Sequence, residues 1–204
     1  MQHSLFETAK EIPNIKGLAY VPDYITVEQE EELLAAIDTQ VWSSELKRRV
    51  QHYGYKYDYK ARTVDQNQYL GNLPGWLNPV AQRLHIEGYF QRDPDQVIVN
   101  EYEVGQGISA HTDVVSAFGS TITSLSLGSG CVMQFSNPDT SEKHDIYLEP
   151  RSLVIMSDDA RYKWKHAIPA RKSDVVDGVK CERSRRVSLT YRTVESKQIN
   201  PLYM

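Results

Sequence analysis

The sequence predicts an α+β fold in which closely spaced strands close into a sandwich or barrel, with helices packed on one side. Three observations carry this reading. Apolar residues recur with a helical period only before Asp95, and from there the period changes to two. Gly, Pro, Asn and Asp then punctuate the chain at intervals that suit short strands. Helical and strand segments that divide one chain of 204 residues between them need a shared core, so residues 1–204 read as one domain.

Taken in order, residues 18–21 form a short strand ended by Pro22 and Asp23. Thr26 with Gln29 three positions on is a capping-box pattern, and Leu33, Leu34, Ile37 and Val41 follow at helical spacing. That first helix is expected to leave Glu28, Glu30, Glu31 and Glu32 in water. Residues 44–62 interleave cations with tyrosines and are the most basic stretch of a chain whose net charge is -4. Two readings fit them. Arg48 and Arg49 can answer phosphates while tyrosine rings such as Tyr53 and Tyr55 stack on bases; or Tyr53, Tyr55, Tyr57 and Tyr59 alternate along a strand pair and pack on one face.

Pro74 is expected to open a second helix with Leu77, Val80, Ala81 and Leu84 on one side, Pro79 falling in its first turns or kinking it. Strands follow at 96–102, 121–127, 131–135, 145–148, 152–156 and 186–192, with turns at Gly128-Ser129-Gly130 and Asn137-Pro138-Asp139. Residues 170–185 are polar and unpatterned and read as a mobile surface loop. Nothing resembles a secretory leader or a membrane span, so a cytoplasmic monomer is expected, nuclear if the source has a nucleus. Cys131 and Cys181 lie far apart and form no CxxC, and Cys131 reads as a core residue.

The chemistry concentrates around residues 97–113. His111 and Asp113 stand two apart, so on an extended backbone both leave the same face and can grip one metal ion. Imidazole plus carboxylate suits the two-His-one-carboxylate triad that holds Fe(II) with open positions, and His166 is the best third ligand. On the last strand Arg186, Ser188, Thr190 and Arg192 share one face, while Val187, Leu189 and Tyr191 share the other. Inward arginines demand anions. A dicarboxylic acid with one end on iron and the other on an arginine meets that demand, and Asn100 and Tyr102 have the parity to hydrogen-bond it.

These residues carry a resemblance. Asn-x-Tyr, Gly-x-Gly, His-x-Asp, a distal His and a closing Arg-x-Ser-x-Thr-Tyr-Arg, spread over Lys16 to Val194, resemble the AlkB family of Fe(II)- and 2-oxoglutarate-dependent dioxygenases. The wording around them most resembles the AlkB domain of the tRNA-modifying branch, without the RNA-recognition and methyltransferase domains of its animal members. The resemblance implies a double-stranded β-helix, or jelly roll, with iron on His111, Asp113 and His166. It implies 2-oxoglutarate on Asn100, Tyr102, Arg186, Ser188 and Arg192, and dioxygen as co-substrate. Residues 44–62 would be a nucleotide-recognition lid, with Arg48, Arg49, Tyr53 and Tyr55 on the nucleic acid and Arg161 facing the substrate base. Two departures stand out: Ser188 replaces an Asn, and Val115 occupies the place where repair-type relatives carry an acid that accepts from a base amino group.

The implied activity is oxidation of alkylated or modified bases in RNA or DNA. An oxidised N-methyl group would leave as formaldehyde, whereas a hydroxyl on the side chain of a modified wobble uridine would stay. Two other readings compete with it, a non-catalytic nucleic-acid-binding module and a dioxygenase of proteins or small molecules. The complete ligand set argues against the first, and the basic, tyrosine-rich lid against the second.

Overall fold

The computed structural model describes residues 12–64 and 66–195; both ends of the expected domain, and His3, lie outside them. The chain runs through β1 (Leu18–Val21), α1 (Val27–Asp38), β2 (Val50–Tyr53), α2 (Asn78–Ile86), β3 (Gln96–Tyr102) and β4 (Ile108–His111). It continues through β5 (Phe118–Gly128), β6 (Cys131–Ser136), β7 (Lys143–Leu148), β8 (Leu153–Met156), α3 (Asp158–Tyr162) and β9 (Lys165–Ile168). A hairpin, β10 (Ser173–Val176) and β11 (Val179–Glu182), precedes the long β12 (Arg186–Val194).

Antiparallel pairing assembles a six-stranded sheet in the order β1-β8-β5-β12-β3-β2 and a four-stranded sheet in the order β4-β9-β6-β7. On its outer face the larger sheet meets both long helices. Val97, Val99, Leu125, Leu127, Val187, Leu189 and Tyr191 pack there against Leu33 and Ile37 of α1 and Leu77, Val80, Ala81 and Leu84 at α2. A second core lies between the sheets, where Ile122, Val154 and Met156 meet Met133, Phe135 and Ile146. Period two therefore splits β5 and β8 between the two cores and, as expected for β12, turns Val187, Leu189 and Tyr191 to the helix-side core and Arg186, Ser188, Thr190 and Arg192 to the cavity; Cys131 is a core residue, also as expected.

Several boundaries depart from the sequence reading. The capping box is made as expected, with Gln29 N donating to Thr26 Oγ1 at 3.2 Å and Thr26 N to Gln29 Oε1 at 2.9 Å. The helix stops at Asp38, however, and Val41 is 92% exposed. Glu30 is not in water. It is buried, accepting from Gly128 N at 2.8 Å and pairing with Arg151 at 3.1 Å, so it ties α1 to the sheet. The second helix starts at Asn78 rather than Pro74, which places Pro79 in the first turn, where a missing N–H costs no helical bond.

Residues 170–185 are ordered into the β10–β11 hairpin, turned by Asp177 and Gly178, both with positive φ. The buried Asp174 anchors it, accepting from Arg171 and Arg183 at 2.6 Å each and from Val132 N at 3.2 Å. A polar segment is ordered here because its charges are paired, which hydrophobic periodicity does not register.

The tyrosines of residues 44–62 do not share one face. At Gly54 φ is +76°, and an added Cβ would lie 1.8 Å from the Asp95 carbonyl oxygen, so only glycine fits and β2 ends. Tyr53 stays with the helix-side core, edge-on to Trp76 at 5.2 Å, and Tyr55 packs against Tyr69. Past the turn, Tyr57 and Tyr59 line the cavity between the sheets.

Candidate metal and cofactor site

β4 and β9 are short antiparallel neighbours in which His111 lies opposite His166. Gly107 lets them approach, since a Cβ there would stand 2.2 Å from the Ile168 carbonyl oxygen. The two imidazoles are 4.4 Å apart, centre to centre, and Asp113 follows in the loop after β4. One ligand atom from each of His111, Asp113 and His166 falls within 4.8 Å of the other two. The His111 Nδ1 lies 2.8 Å from the Ser109 carbonyl oxygen. A carbonyl only accepts, so Nδ1 donates and Nε2 keeps its lone pair for a metal.

The electrostatics suit a cation. Burial, with His111 beside it, brings His166 down to about 4, so the imidazole is neutral at pH 7 and has a lone pair to offer a metal. Burial alone would raise the Asp113 carboxyl, but the cationic surroundings, Arg192 foremost, hold it well below the usual carboxylate range. With His166 neutral, the charge that matters is the Arg192 guanidinium, 2.5 Å from Asp113 Oδ1. Arg161 supports the same loop from behind. It is buried and donates to the carbonyl oxygens of Asp113 at 2.8 Å and Val114 at 3.4 Å. The structure thus places Arg161 under the metal loop rather than in the cavity lining.

The triad opens onto a cavity of about 580 Å³ between the sheets. On its floor Arg186 stands opposite Tyr102 and Ser188 opposite Asn100, a two-by-two patch set by the β12–β3 register. Arg186 is buried and donates from Nη2 to Ser126 Oγ at 2.9 Å, while its Nε and Nη1 have no protein partner. Buried unpaired donors of a cation are costly, and a carboxylate is the group that matches this fork. Residues and cofactor therefore fit. Two His and one carboxylate suit Fe(II), and the free edge of Arg186 suits the far carboxylate of 2-oxoglutarate. Arg192 is already committed to Asp113, with only its buried Nε unpaired.

The lid residues separate. Arg48 turns inward, lines the cavity and donates to Asn100 Oδ1 at 2.9 Å. Arg49, next along the chain, points the other way and pairs with the buried carboxylate of Glu101, whose other partner is Arg185 at 2.6 Å. Arg49, Tyr53 and Tyr55 are thus not brought to the cavity, whereas Tyr57, Tyr59, Arg62 and Lys165 are. Tyr57 and Tyr59 were visible in the sequence as tyrosines of the basic stretch. Lys165 carried no signal beyond adjacency to His166.

A family description, the 2OG-Fe(II) oxygenase superfamily, matches residues 17–192, and the chain belongs to that superfamily of iron- and 2-oxoglutarate-dependent dioxygenases. Its homologues include AlkB proteins. The chain is 42% identical over 206 residues to the "Alkylated DNA repair protein ALKBH8 homolog" of Arabidopsis thaliana, covering 90% of this chain and 60% of that protein. It is 37% identical to the "tRNA (carboxymethyluridine(34)-5-O)-methyltransferase ALKBH8" of Mus musculus, covering 92% of this chain and 32% of that protein. The chain thus spans less than two thirds of the first relative and about a third of the second. Among solved structures, that of OsALKBH1 superposes with a TM-score of 0.63 at 15% identity over 87% of this chain and 96% of that one, which supports the jelly-roll fold alone.

Proposed function

We propose that this protein oxidises a carbon substituent on a base of a nucleic acid. The observation that carries the reading is the mouth of the cavity. Tyr57 presents its ring to the lining it shares with the triad, and Arg62 and Lys165, in the same lining, have no carboxylate partner among the described residues. Rings stack on a base and free cations meet phosphates, and neither is required for a small apolar substrate.

Bound Fe(II) and 2-oxoglutarate supply the oxidising chemistry, coupling loss of carbon dioxide from the keto acid to hydroxylation of the target carbon. The chain's own residues do the rest. His111, Asp113 and His166 would hold the metal, Arg192 and Arg161 fix the Asp113 loop, and Arg186 with Tyr102 and Asn100 would orient the dicarboxylate. Tyr57 restricts which carbon reaches the open side.

Oxidative demethylation is the primary reading. Hydroxylation of a modified wobble uridine is the second, favoured by the likeness to the mouse protein; Val115, where repair-type relatives carry an acid, is exposed and outside the cavity lining. The test is incubation with Fe(II), 2-oxoglutarate and a panel of methylated oligonucleotides and modified tRNA, followed by mass spectrometry of every nucleoside. Consumption of 2-oxoglutarate with no nucleoside altered would reject the nucleic-acid reading. Replacing Arg62 and Lys165 by Ala should weaken polynucleotide binding and flatten its salt dependence, since fewer counterions are released.

A further inference from the structure

Arg48 belongs to the lid by sequence but to the cofactor pocket by position. Its guanidinium lies 5.9 Å from the centre of the Tyr102 ring, and that of Arg186 lies 5.3 Å from the same ring. Neither has a carboxylate partner among the described residues. Both line the same cavity, so an anion bound there can meet donors from each. A guanidinium, moreover, only donates. Its bond from Nε therefore selects the oxygen end of the Asn100 side chain and leaves Nδ2, a donor, for whatever occupies the cavity.

A second lid residue points the same way. The Tyr59 hydroxyl is buried without a partner, close enough to Arg48 and Arg192 to feel both charges. Burial pushes Tyr59 up to about 12, so at neutral pH it remains a donor. Its ring is wedged edge-on between His52 at 5.6 Å and Tyr57 at 5.1 Å, which fixes the direction of the hydroxyl.

We propose that Arg48 and Tyr59 make the lid part of the 2-oxoglutarate site. Arg48 faces the carboxylate that Arg186 anchors and sets the Asn100 amide, so cofactor loading draws the lid closed before a substrate base arrives. Arg48 and Tyr59 are here positioning and binding residues for the cofactor rather than for the polynucleotide. The inference rests on the reading that the cavity takes 2-oxoglutarate.

The test uses the whole chain loaded with Mn(II), so that no turnover occurs. Calorimetry would measure 2-oxoglutarate binding, and trypsin would probe the lid at Lys60 and Arg62, which are exposed. In the wild type, 2-oxoglutarate should slow cleavage at both sites. Arg48→Ala should weaken 2-oxoglutarate by about tenfold to a hundredfold, the range for a lost hydrogen bond to a charged group, with Mn(II) affinity unchanged and protection abolished. Arg48→Lys should recover part of both, and Tyr59→Phe should lose affinity with little effect on melting temperature. Affinities within twofold of wild type in Arg48→Ala and Tyr59→Phe, or cleavage indifferent to 2-oxoglutarate in the wild type, would overturn the coupling while leaving the cofactor reading intact. No binding to the wild type would overturn both. Should Arg48→Ala fail to fold, Arg48→Lys and Tyr59→Phe decide the matter alone.

Discussion

Replacing Arg186 by Met should stabilise the ligand-free protein and abolish its response to 2-oxoglutarate. In the folded chain Nε and Nη1 of Arg186 are buried without partners. Each such donor costs roughly 1–3 kcal/mol, so the pair costs roughly 2–6 kcal/mol. Against this stand the bond to Ser126 Oγ and the contact with the Tyr102 ring, about 1 kcal/mol each. Methionine has a similar reach and no donors, so the net gain is about 0–4 kcal/mol. For a protein of this size 1 kcal/mol moves Tm by about 2–4 °C. The wild type should rise on 2-oxoglutarate in the presence of Mn(II): at a hundredfold excess over Kd the linkage is about 2.7 kcal/mol, or roughly 5–11 °C. Arg186→Met should start at or above the wild-type Tm and not move. Thermal melts with and without 2-oxoglutarate would check both halves. A variant that still shifts like the wild type, or melts well below it without ligand, would refute the assignment of Arg186 as the buried anchor.

Other outcomes follow from the same geometry. His111→Ala, Asp113→Ala and His166→Ala should each abolish 2-oxoglutarate turnover with the fold retained by circular dichroism, and full turnover in any one would break the triad. Arg192→Ala leaves a buried carboxylate unpaired and should cost about 3–5 kcal/mol in urea unfolding, with Mn(II) restoring more stability to the variant than to the wild type. An unchanged urea midpoint would mean that the pair is not formed. Gly54→Ala should destabilise by at least about 1–3 kcal/mol, because φ of +76° and the Asp95 carbonyl both forbid a side chain; a soluble variant of wild-type Tm would contradict the turn.

Much of the site was legible because β12 and β3 obey strict alternation. Parity alone put Arg186, Ser188 and Arg192 on one face and aligned Asn100 with Tyr102, and the structure has them lining one cavity. The lid was legible in composition but not in direction. One positive-φ glycine breaks the alternation, so Tyr53 and Tyr57 end in different cores; before it, Arg48 and Arg49 still alternate and reach opposite faces of β3. β4 and β9 were missed as strands because β4 shows no alternation of apolar and polar residues and their register shifts between Ile108 and His111. The β10–β11 hairpin escaped because its anchor is a buried aspartate clasped by two arginines, where a periodicity argument expects an apolar residue.

Both margins of the six-stranded sheet are strands of only four residues, β1 and β2. The free side of β2 is blocked at its start, where Val50 and Ser43 exchange two backbone bonds of 3.0 and 2.8 Å, and it turns away at Gly54. On the smaller sheet the marginal strand β7 shows Lys143 and Asp145 to solvent. Long, flat and uncharged margins are the templates on which foreign strands add. These margins are brief, interrupted or charged, so crowding this protein should not recruit chains through backbone ladders.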